Sequence, residues 1–186
     1  MRQAQPSVSP MSNEARNNYV IGQITSALIG LLRTKTIEEV SISELCAAAG
    51  VGRASFYRNF DSKEAVLQRQ DEALVRRWQK DYDAAKARDE AAGREPENLM
   101  VSLLMHYKAH REFYAAVYRN DRAILRDTIL RICGPQEDDQ NIWAYTKAFI
   151  AYGIYGTVCT WMDRGMTESA EELAALMRQN QEKAQN

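Results

Sequence analysis

Hydrophobic residues along this 186-residue chain recur mainly at intervals of three and four, the spacing that places side chains on one face of an α-helix. Sustained alternating runs of β-branched residues, which are typical of β-strands, are absent from the sequence. The pattern predicts helices over 13–33, just before Gly50, over 53–60, from 63 to about 88, one or two within 97–118, then over 120–132, 141–163 and 167 to about 178. The predicted fold class is therefore all-α.

The stretch from Ser41 to Glu64 has the most informative local pattern. Ser43 is placed to cap a short apolar helix, because its hydroxyl can accept an unpaired backbone N–H there. Gly50 follows that helix, where a sharp turn needs a positive φ that only glycine adopts without cost. A second short helix begins near Arg53. Two short helices joined by a glycine turn are typical of a helix-turn-helix motif.

The same stretch resembles the DNA-binding motif of TetR-family transcriptional regulators. The resemblance rests on three blocks in fixed order and spacing, Ala49-Gly50-Val51, Tyr57-Arg58-Asn59-Phe60 and Lys63-Glu64. It implies an N-terminal three-helix DNA-binding domain and a C-terminal helical domain for ligand binding and dimerisation. Gly52 departs from the family pattern, which usually has a capping serine or threonine there, so one hydroxyl that contacts phosphate is missing.

The second helix and its flanks supply the side chains expected to contact DNA. The resemblance implies phosphate contacts from Tyr57 and Lys63. Arginine can bond guanine bidentately and asparagine can bond adenine, so Arg53, Ser55 and Asn59 are candidates for base edges. The full predicted DNA-binding set is Ser43, Gly52, Arg53, Ser55, Phe56, Tyr57, Arg58, Asn59 and Lys63. The alternative is an ordinary exposed polar face with Phe56 inside, and for Ala54 and Phe60 we expect core positions.

The chain divides into three predicted segments. Residues 1–12 are polar and contain two prolines, which predicts a disordered tail; Arg2 in a minor groove is the alternative. Residues 13–62 form the predicted helix-turn-helix domain. Residues 63–186 form the predicted helical domain for effector binding and dimerisation.

The predicted helix over 141–163 is apolar on nearly every side, so several of its faces must be covered. Packing of a second copy of the chain against these faces is the simplest explanation, so a homodimer is the expected assembly. The predicted dimer-interface residues are Ile150, Gly153, Ile154, Thr157 and Trp161. Residues 161–166 and the Glu-rich helix after them are similar to the dihydroxyacetone-kinase-regulator-like subgroup of the family.

Aromatic residues concentrate in the second half of the chain and predict an effector pocket, since small-molecule sites are largely apolar with a few polar groups. The predicted lining is His106, Tyr107, Phe113, Tyr114, Tyr118, Trp143 and Tyr145. Ordinary core packing is the alternative for each of them. His106 and His110 lie four residues apart, but no third ligand has a recognisable spacing, so neither a metal site nor a cofactor is predicted.

Composition and charge narrow the classes of function. A net charge of −1 excludes a generally basic nucleic-acid binder, although residues 1–63 have seven Lys/Arg against five Asp/Glu. Three scattered cysteines fit a reduced compartment, and no apolar run approaches the roughly 20 residues of a membrane helix. With no secretory signal at the start, the expected location is the cytoplasm, without a membrane partner.

No nucleophile, carboxylate pair or phosphate-binding loop is recognisable, so the sequence does not predict an enzyme. The expected function is a TetR-like homodimeric repressor that binds a double-stranded DNA operator and is released by an unidentified small-molecule effector. The alternative is a DNA-binding co-activator whose input is a partner protein. A helical enzyme that merely retains the motif has no catalytic residues to support it.

Overall fold

The computed structural model describes residues 12–184, with side chains described as far as Met177. Its regular elements are α1 (Asn13–Leu31), α2 (Ile42–Ala49), α3 (Arg53–Asn59), α4 (Lys63–Ala91), α5 (Leu99–Ala109), α6 (Arg111–Asn120), α7 (Arg122–Cys133), α8 (Asn141–Asp163) and α9 (Ala170–Ala184). No strand occurs within these described residues. The all-α prediction is confirmed, and the aromatic region 97–118 forms two helices.

Helix starts follow the capping chemistry of short polar side chains, with two shifts from the predicted positions. Ser41, not Ser43, caps α2, and its hydroxyl accepts the Glu44 N–H at 3.1 Å. Ser169, not Thr167, begins α9 by accepting the Glu172 N–H at 3.1 Å, while the Glu172 carboxylate accepts the Ser169 N–H at 2.8 Å. This reciprocal pair is a capping box, which satisfies two backbone donors at once.

The backbone divides into two compact units after Val66. In the first unit, α1, α2 and α3 pack around a small core. Its fully buried members include Ile24, Leu28, Leu45 and Phe56. The four come from all three helices, so the helix-turn-helix pair is held against α1 by one continuous apolar cluster.

The second unit contains most of α4 and all of α5–α9, with α7 against α8 and α5 against α9. Its largest fully buried side chains include Tyr107, Tyr114, Leu125 and Trp161. Aromatic residues therefore form the centre of this core.

The predicted disordered tail, residues 1–12, lies outside the described residues except for Ser12. That residue caps α1, because its hydroxyl accepts the Ala15 N–H at 3.1 Å. In the part of the chain that is described, no helix is both long enough and apolar enough to cross a membrane.

Candidate nucleic-acid interface

The turn between α2 and α3 is closed by backbone geometry. Gly50 has φ +64° and ends α2, and the Val51 N–H donates to the Cys46 carbonyl at 3.0 Å. This left-handed glycine cap is the arrangement that terminates many helices. Gly52 then begins α3 with extended backbone and without a side-chain cap, as its missing side chain requires.

The inner face of α3 is aromatic. Phe56 has no exposed surface and Phe60 only 4%, and their ring centroids lie 5.9 Å apart. Phe56 is therefore a core residue, and its predicted role in DNA binding is wrong because its ring cannot reach a ligand. Phe60 lies in the core as expected, but Ala54 is exposed, so the buried face of α3 differs from the predicted one.

The outer face of α3 presents Arg53, Tyr57 and Arg58, all exposed, with 52% of Tyr57 accessible. The Tyr57 ring meets the buried Phe56 ring edge-on, with centroids 5.4 Å apart. Buried Phe56 thus fixes the rotation of the helix, and that rotation turns two guanidinium groups and one phenol outward. These three groups can donate to phosphate oxygens and to base edges.

A polar cleft of about 410 Å³ lies between α3 and the start of α1. Ser55, Arg58 and Asn59 line one side, and Arg16 and Asn17 line the other. Arg16 is not among the residues predicted from the sequence, although a cation one turn into the first helix of a DNA-binding domain is a usable signal. Asn59 also donates its side-chain N–H to the Ser55 carbonyl at 2.9 Å, which occupies one donor within the helix.

Lys63 has a different environment from the predicted phosphate contact. Its ammonium donates to the main-chain oxygens of Ile37 and Val40, at 2.5 and 2.6 Å, and the residue is half-buried. A cation in the first turn of a helix is ordinarily unfavourable, and these two carbonyls offset that cost. Two of its three N–H donors are thereby used inside the chain, so Lys63 primarily joins α4 to the α1–α2 connection.

Ser43 is exposed on α2, while the capping task predicted for it belongs to Ser41. Its hydroxyl remains accessible. Lys35 and Glu44 form an ion pair nearby, and hydrogen bonding from Lys35 holds the pKa of Glu44 below its usual value.

The predicted effector-pocket residues do not form one cavity. Five of the seven are packed inside the second unit, each no more than 7% exposed: His106, Tyr107, Phe113, Tyr114 and Tyr118. Trp143 and Tyr145 lie on α8 with 59% and 73% of their surface exposed, so they do not line an enclosed pocket in the described part of the chain. His106 lies at the edge of a cleft that α4 and α5 form beside Trp78 and His110.

His106 belongs to a buried polar pair. Its Nε2 lies 2.7 Å from the Tyr114 hydroxyl. Burial, assisted by repulsion from His110, lowers the pKa of His106 to about 4, so the ring is neutral at physiological pH. Among the described residues, no group of three or more His, Cys, Asp and Glu side chains could hold a metal ion.

The predicted dimer residues fall on two sides of α8. Ile154 and Trp161 are 4% and 2% exposed, so they pack inside the chain, and their placement in an interface between copies is wrong. Ile150 and Gly153 are exposed, and Thr157 is half-buried with its hydroxyl bonded to the Gly153 carbonyl at 2.9 Å. The outward side of α8 also presents Ile142, Trp143, Tyr145, Phe149 and Tyr152.

Comparison with known proteins identifies both parts of the chain. Residues 24–69 match the family described as "Bacterial regulatory proteins, tetR family", and residues 94–183 match "Transcriptional regulator C-terminal region". The HTH-type transcriptional regulator EthR of Mycolicibacterium smegmatis is 42% identical over 55 residues, which is 30% of this chain. That match covers only a quarter of the relative's length.

The fold also has a solved counterpart. The crystal structure of a TetR transcriptional regulator from Streptococcus agalactiae 2603V superposes with a TM-score of 0.56 at 19% identity, over 88% of this chain and 93% of that one. At this identity the likeness shows the fold alone. The two family matches together cover most of the chain, and with the helix-turn-helix geometry they establish that it belongs to the TetR family of transcriptional regulators.

Proposed function

We propose that this chain is a homodimeric repressor that binds a DNA operator through α3 and releases it when a small-molecule effector binds. The observation that carries the proposal is the outer face of α3. Buried Phe56 fixes the helix so that Arg53, Tyr57 and Arg58 are exposed together. An exposed cluster of two arginines and a tyrosine on a helix of this motif fits the edges and backbone of a major groove.

Within this proposal, the exposed groups have separate tasks. Arg53 begins α3, the end that enters the groove, and would contact a base edge, with Ser55 and Asn59 beside it. Tyr57 would hold a phosphate. Arg58 and Arg16, which line one polar cleft, would hold the backbone on the side of α1.

The outward side of α8 supports the homodimer. Ile142, Phe149 and Tyr152 are 69%, 83% and 54% exposed and lie on one stripe of the helix. An apolar stripe of this kind is typical of a protein–protein interface. A two-fold dimer would place two α3 helices on half-sites about 34 Å apart or a multiple of that distance.

Release by an effector requires differential binding, because a ligand shifts an equilibrium only as far as it prefers one state. The effector would bind in the second unit and favour the dimer state whose two reading helices misfit the operator. The similarity of residues 161–166 to the dihydroxyacetone-kinase-regulator-like subgroup stays a prediction, and it belongs to the alternative in which a partner protein is the input.

A co-activator with a protein partner as its input is the second candidate. One observation favours it: most of the predicted pocket residues are core, which leaves no preformed aromatic pocket at the predicted place. Co-purification of a stable partner protein, together with no response of DNA binding to small molecules, is the outcome it requires.

The test is selection of bound sequences from a random DNA pool, followed by titration of the selected site at several salt concentrations. We expect Arg53→Ala to weaken binding by about 1–3 kcal/mol and to relax one base position. Arg16→Ala should weaken all sequences alike and reduce the salt slope by about one. Arg76→Ala removes an equally exposed arginine from α4 and should change neither quantity. Binding without sequence preference, or equal losses in all three variants, would contradict the proposal.

A further inference from the structure

A second cleft, of about 230 Å³, lies between α4 and α7 in the C-terminal unit, and none of the predicted pocket residues is in its lining. Its titratable lining is strongly unbalanced: four carboxylates and one guanidinium. The acidic members are Asp71, Glu72, Asp121 and Asp127, and the basic one is Arg131. The cleft therefore disfavours anionic ligands and attracts cations.

The acidic side chain at the base of the cleft is almost completely buried. Asp71 is only 2% exposed, and its Oδ2 accepts a hydrogen bond from the Thr128 hydroxyl at 2.5 Å. Its Oδ1 is buried and accepts no regular hydrogen bond from the described residues. The Tyr114 hydroxyl also interacts with the Asp71 carboxyl. The same hydroxyl lies 2.7 Å from His106 Nε2, so Asp71 shares it with the histidine. A buried carboxylate with an unused oxygen is costly unless a further donor reaches it.

Arg131 compensates the buried charge only weakly. Its Nη2 is 3.8 Å from Asp71 Oδ2, beyond ordinary hydrogen-bond distance, and half of the side chain is in solvent. The same nitrogen donates to the Thr128 hydroxyl at 3.2 Å. Burial accordingly raises the pKa of Asp71 despite the neighbouring guanidinium. Because Arg131 is half-exposed and makes no direct hydrogen bond to Asp71, a competing cation can displace it from the mouth of the cleft.

The arrangement of the carboxylates distinguishes between kinds of cation. In the described part of the chain, no three acidic or other ligating side chains converge closely enough to hold a metal ion. The negative charge is spread along the cleft, with Asp71 buried and Glu72 and Asp127 exposed. An extended cation with N–H donors fits this distribution, whereas an inorganic ion needs ligands around one point.

We propose that this cleft is the effector site of the regulator and binds a small organic ammonium or amidinium ion. An N–H of the ligand donates to Asp71 Oδ1, and its positive charge displaces Arg131 from beside Oδ2. Glu72 and Asp127 balance the rest of its charge, with Asp127 shared with Arg126 at 2.8 Å. The volume lies just below the range of about 300–1,000 Å³ that is usual for drug-sized ligands, so the ligand is small. The assignment as effector site rests on the proposed function, but the binding site itself does not.

The test uses 1,4-diaminobutane as the probe, with 1,4-butanediol and succinate as its neutral and anionic counterparts, at constant ionic strength. Calorimetric titration and thermal melting should show binding and stabilisation by the diamine alone. Asp71→Asn should weaken that binding at least tenfold, and Arg131→Gln should strengthen it severalfold by removing the competing cation. Asp83→Asn removes an exposed carboxylate elsewhere on α4 and should leave binding unchanged.

Equal binding of the diamine by wild type and Asp71→Asn, or no binding by the wild type, would overturn the site. If Asp71→Asn does not fold, the double variant Glu72→Gln, Asp127→Asn changes only exposed lining carboxylates and must still weaken diamine binding severalfold. Binding of the selected DNA is measured separately. Diamine binding that depends on Asp71 in a chain that binds no DNA would refute the regulator and leave the cation site standing.

Discussion

Lys63 illustrates at the scale of a single residue how a side chain predicted to bind phosphate can have a structural task. Its ammonium bonds two main-chain oxygens of the α1–α2 connection, and the residues that carry them, Ile37 and Val40, are buried. Water has little access to carbonyls at such positions. Removal of the ammonium would therefore take a donor from both carbonyls, and the Ile37 oxygen would keep the longer hydrogen bond from the Val40 N–H at 3.3 Å.

Lys63→Met keeps most of the length of the side chain and removes its donors. We expect it to lower the free energy of unfolding of the N-terminal unit by about 1–3 kcal/mol, measured by chemical denaturation. Lys35→Met is the matched control, because Lys35 pairs with Glu44 at the surface, where ion pairs contribute little. Equal stabilities of the wild type and Lys63→Met would show that the two carbonyls do not depend on the ammonium.

The neutral state of buried His106 has a consequence for pH dependence. Its pKa is about 4 in the folded chain and near 6.5 when unfolded, so between these values the unfolded chain binds a proton that the folded chain does not. Stability from this group is therefore present above pH 6.5 and is lost as the pH falls towards 4. The full shift corresponds to at most about 3 kcal/mol.

His106→Gln isolates this effect, because other titrating groups such as Asp71 remain in both proteins. Between pH 7 and pH 4, the unfolding free energy of the wild type should fall more steeply than that of the variant. The difference in steepness should lie within the window from 6.5 to 4. Parallel pH profiles from denaturant titrations would refute a depressed pKa at His106.

At the scale of elements, the glycine that ends α2 determines where the reading helix can begin. Gly50 has φ +64°, whereas Gly30 lies within the regular turns of α1. Apart from the adjoining backbone, no described atom lies within 4 Å of a Cβ added at either position. The two positions therefore differ in backbone conformation and not in available space. This difference allows the same substitution to have opposite effects.

Gly50→Ala should destabilise the N-terminal unit by about 1–2 kcal/mol, because a side chain in the left-handed region meets its own carbonyl. Gly30→Ala should stabilise it by up to about 1 kcal/mol, because alanine is the better helix former. Both changes are measured by thermal or chemical unfolding. A shift of the same sign in both variants would mean that backbone conformation is not the controlling factor.

The elements were largely predictable from sequence, but the direction in which each one faces was less so. Helical spacing located α3, yet a helix of seven residues has too few turns to distinguish a buried face through Ala54 and Phe60 from one through Phe56 and Phe60. Packing against α1 and α2 determines which face of α3 is buried, and that packing joins residues far apart in the sequence. The sequence also does not distinguish Ser41 from Ser43 as the N-cap of α2. In the structure Ser41 has the extended backbone of an N-cap residue, and Ser43 lies within the helix.

At the candidate sites, the sequence was an even poorer guide to which side chains are buried and which are exposed. An α8 that is apolar on all sides gave no basis for separating buried Ile154 and Trp161 from exposed Ile150 and Gly153. Asp71 is one acidic residue within a highly charged helix, and only the packing of α7 against α4 gives it a buried environment. Burial of a polar group depends on tertiary packing, so the local sequence pattern does not predict the buried position of Asp71.

At the scale of the whole molecule, the exposed apolar stripe of α8 predicts that two copies of the chain associate through this helix. Phe149 is 83% exposed, so replacing it does not disturb the core of a single chain. Phe149→Asp should convert the proposed dimer to a monomer and abolish binding to a two-half-site operator, while leaving the helical content unchanged.

Analytical ultracentrifugation across a range of concentrations measures the change in Phe149→Asp. Tyr19→Asp is the control, because Tyr19 is also a largely exposed aromatic residue but lies on α1. It should leave the sedimentation coefficient unaltered. A wild-type chain that sediments as a monomer at all concentrations, or a Phe149→Asp variant that stays dimeric, would reject the α8 interface.

The two hydrogen bonds of Lys63 also predict an uneven tolerance to mutation. Both acceptors are main-chain oxygens, which every amino acid provides, so Ile37 and Val40 are constrained by their buried volume and not by hydrogen-bonding chemistry. Position 63 needs a flexible cation of the right length, and no apolar residue supplies one. In a saturation library, positions 37 and 40 should accept most aliphatic residues of similar size, while position 63 should accept almost nothing but lysine.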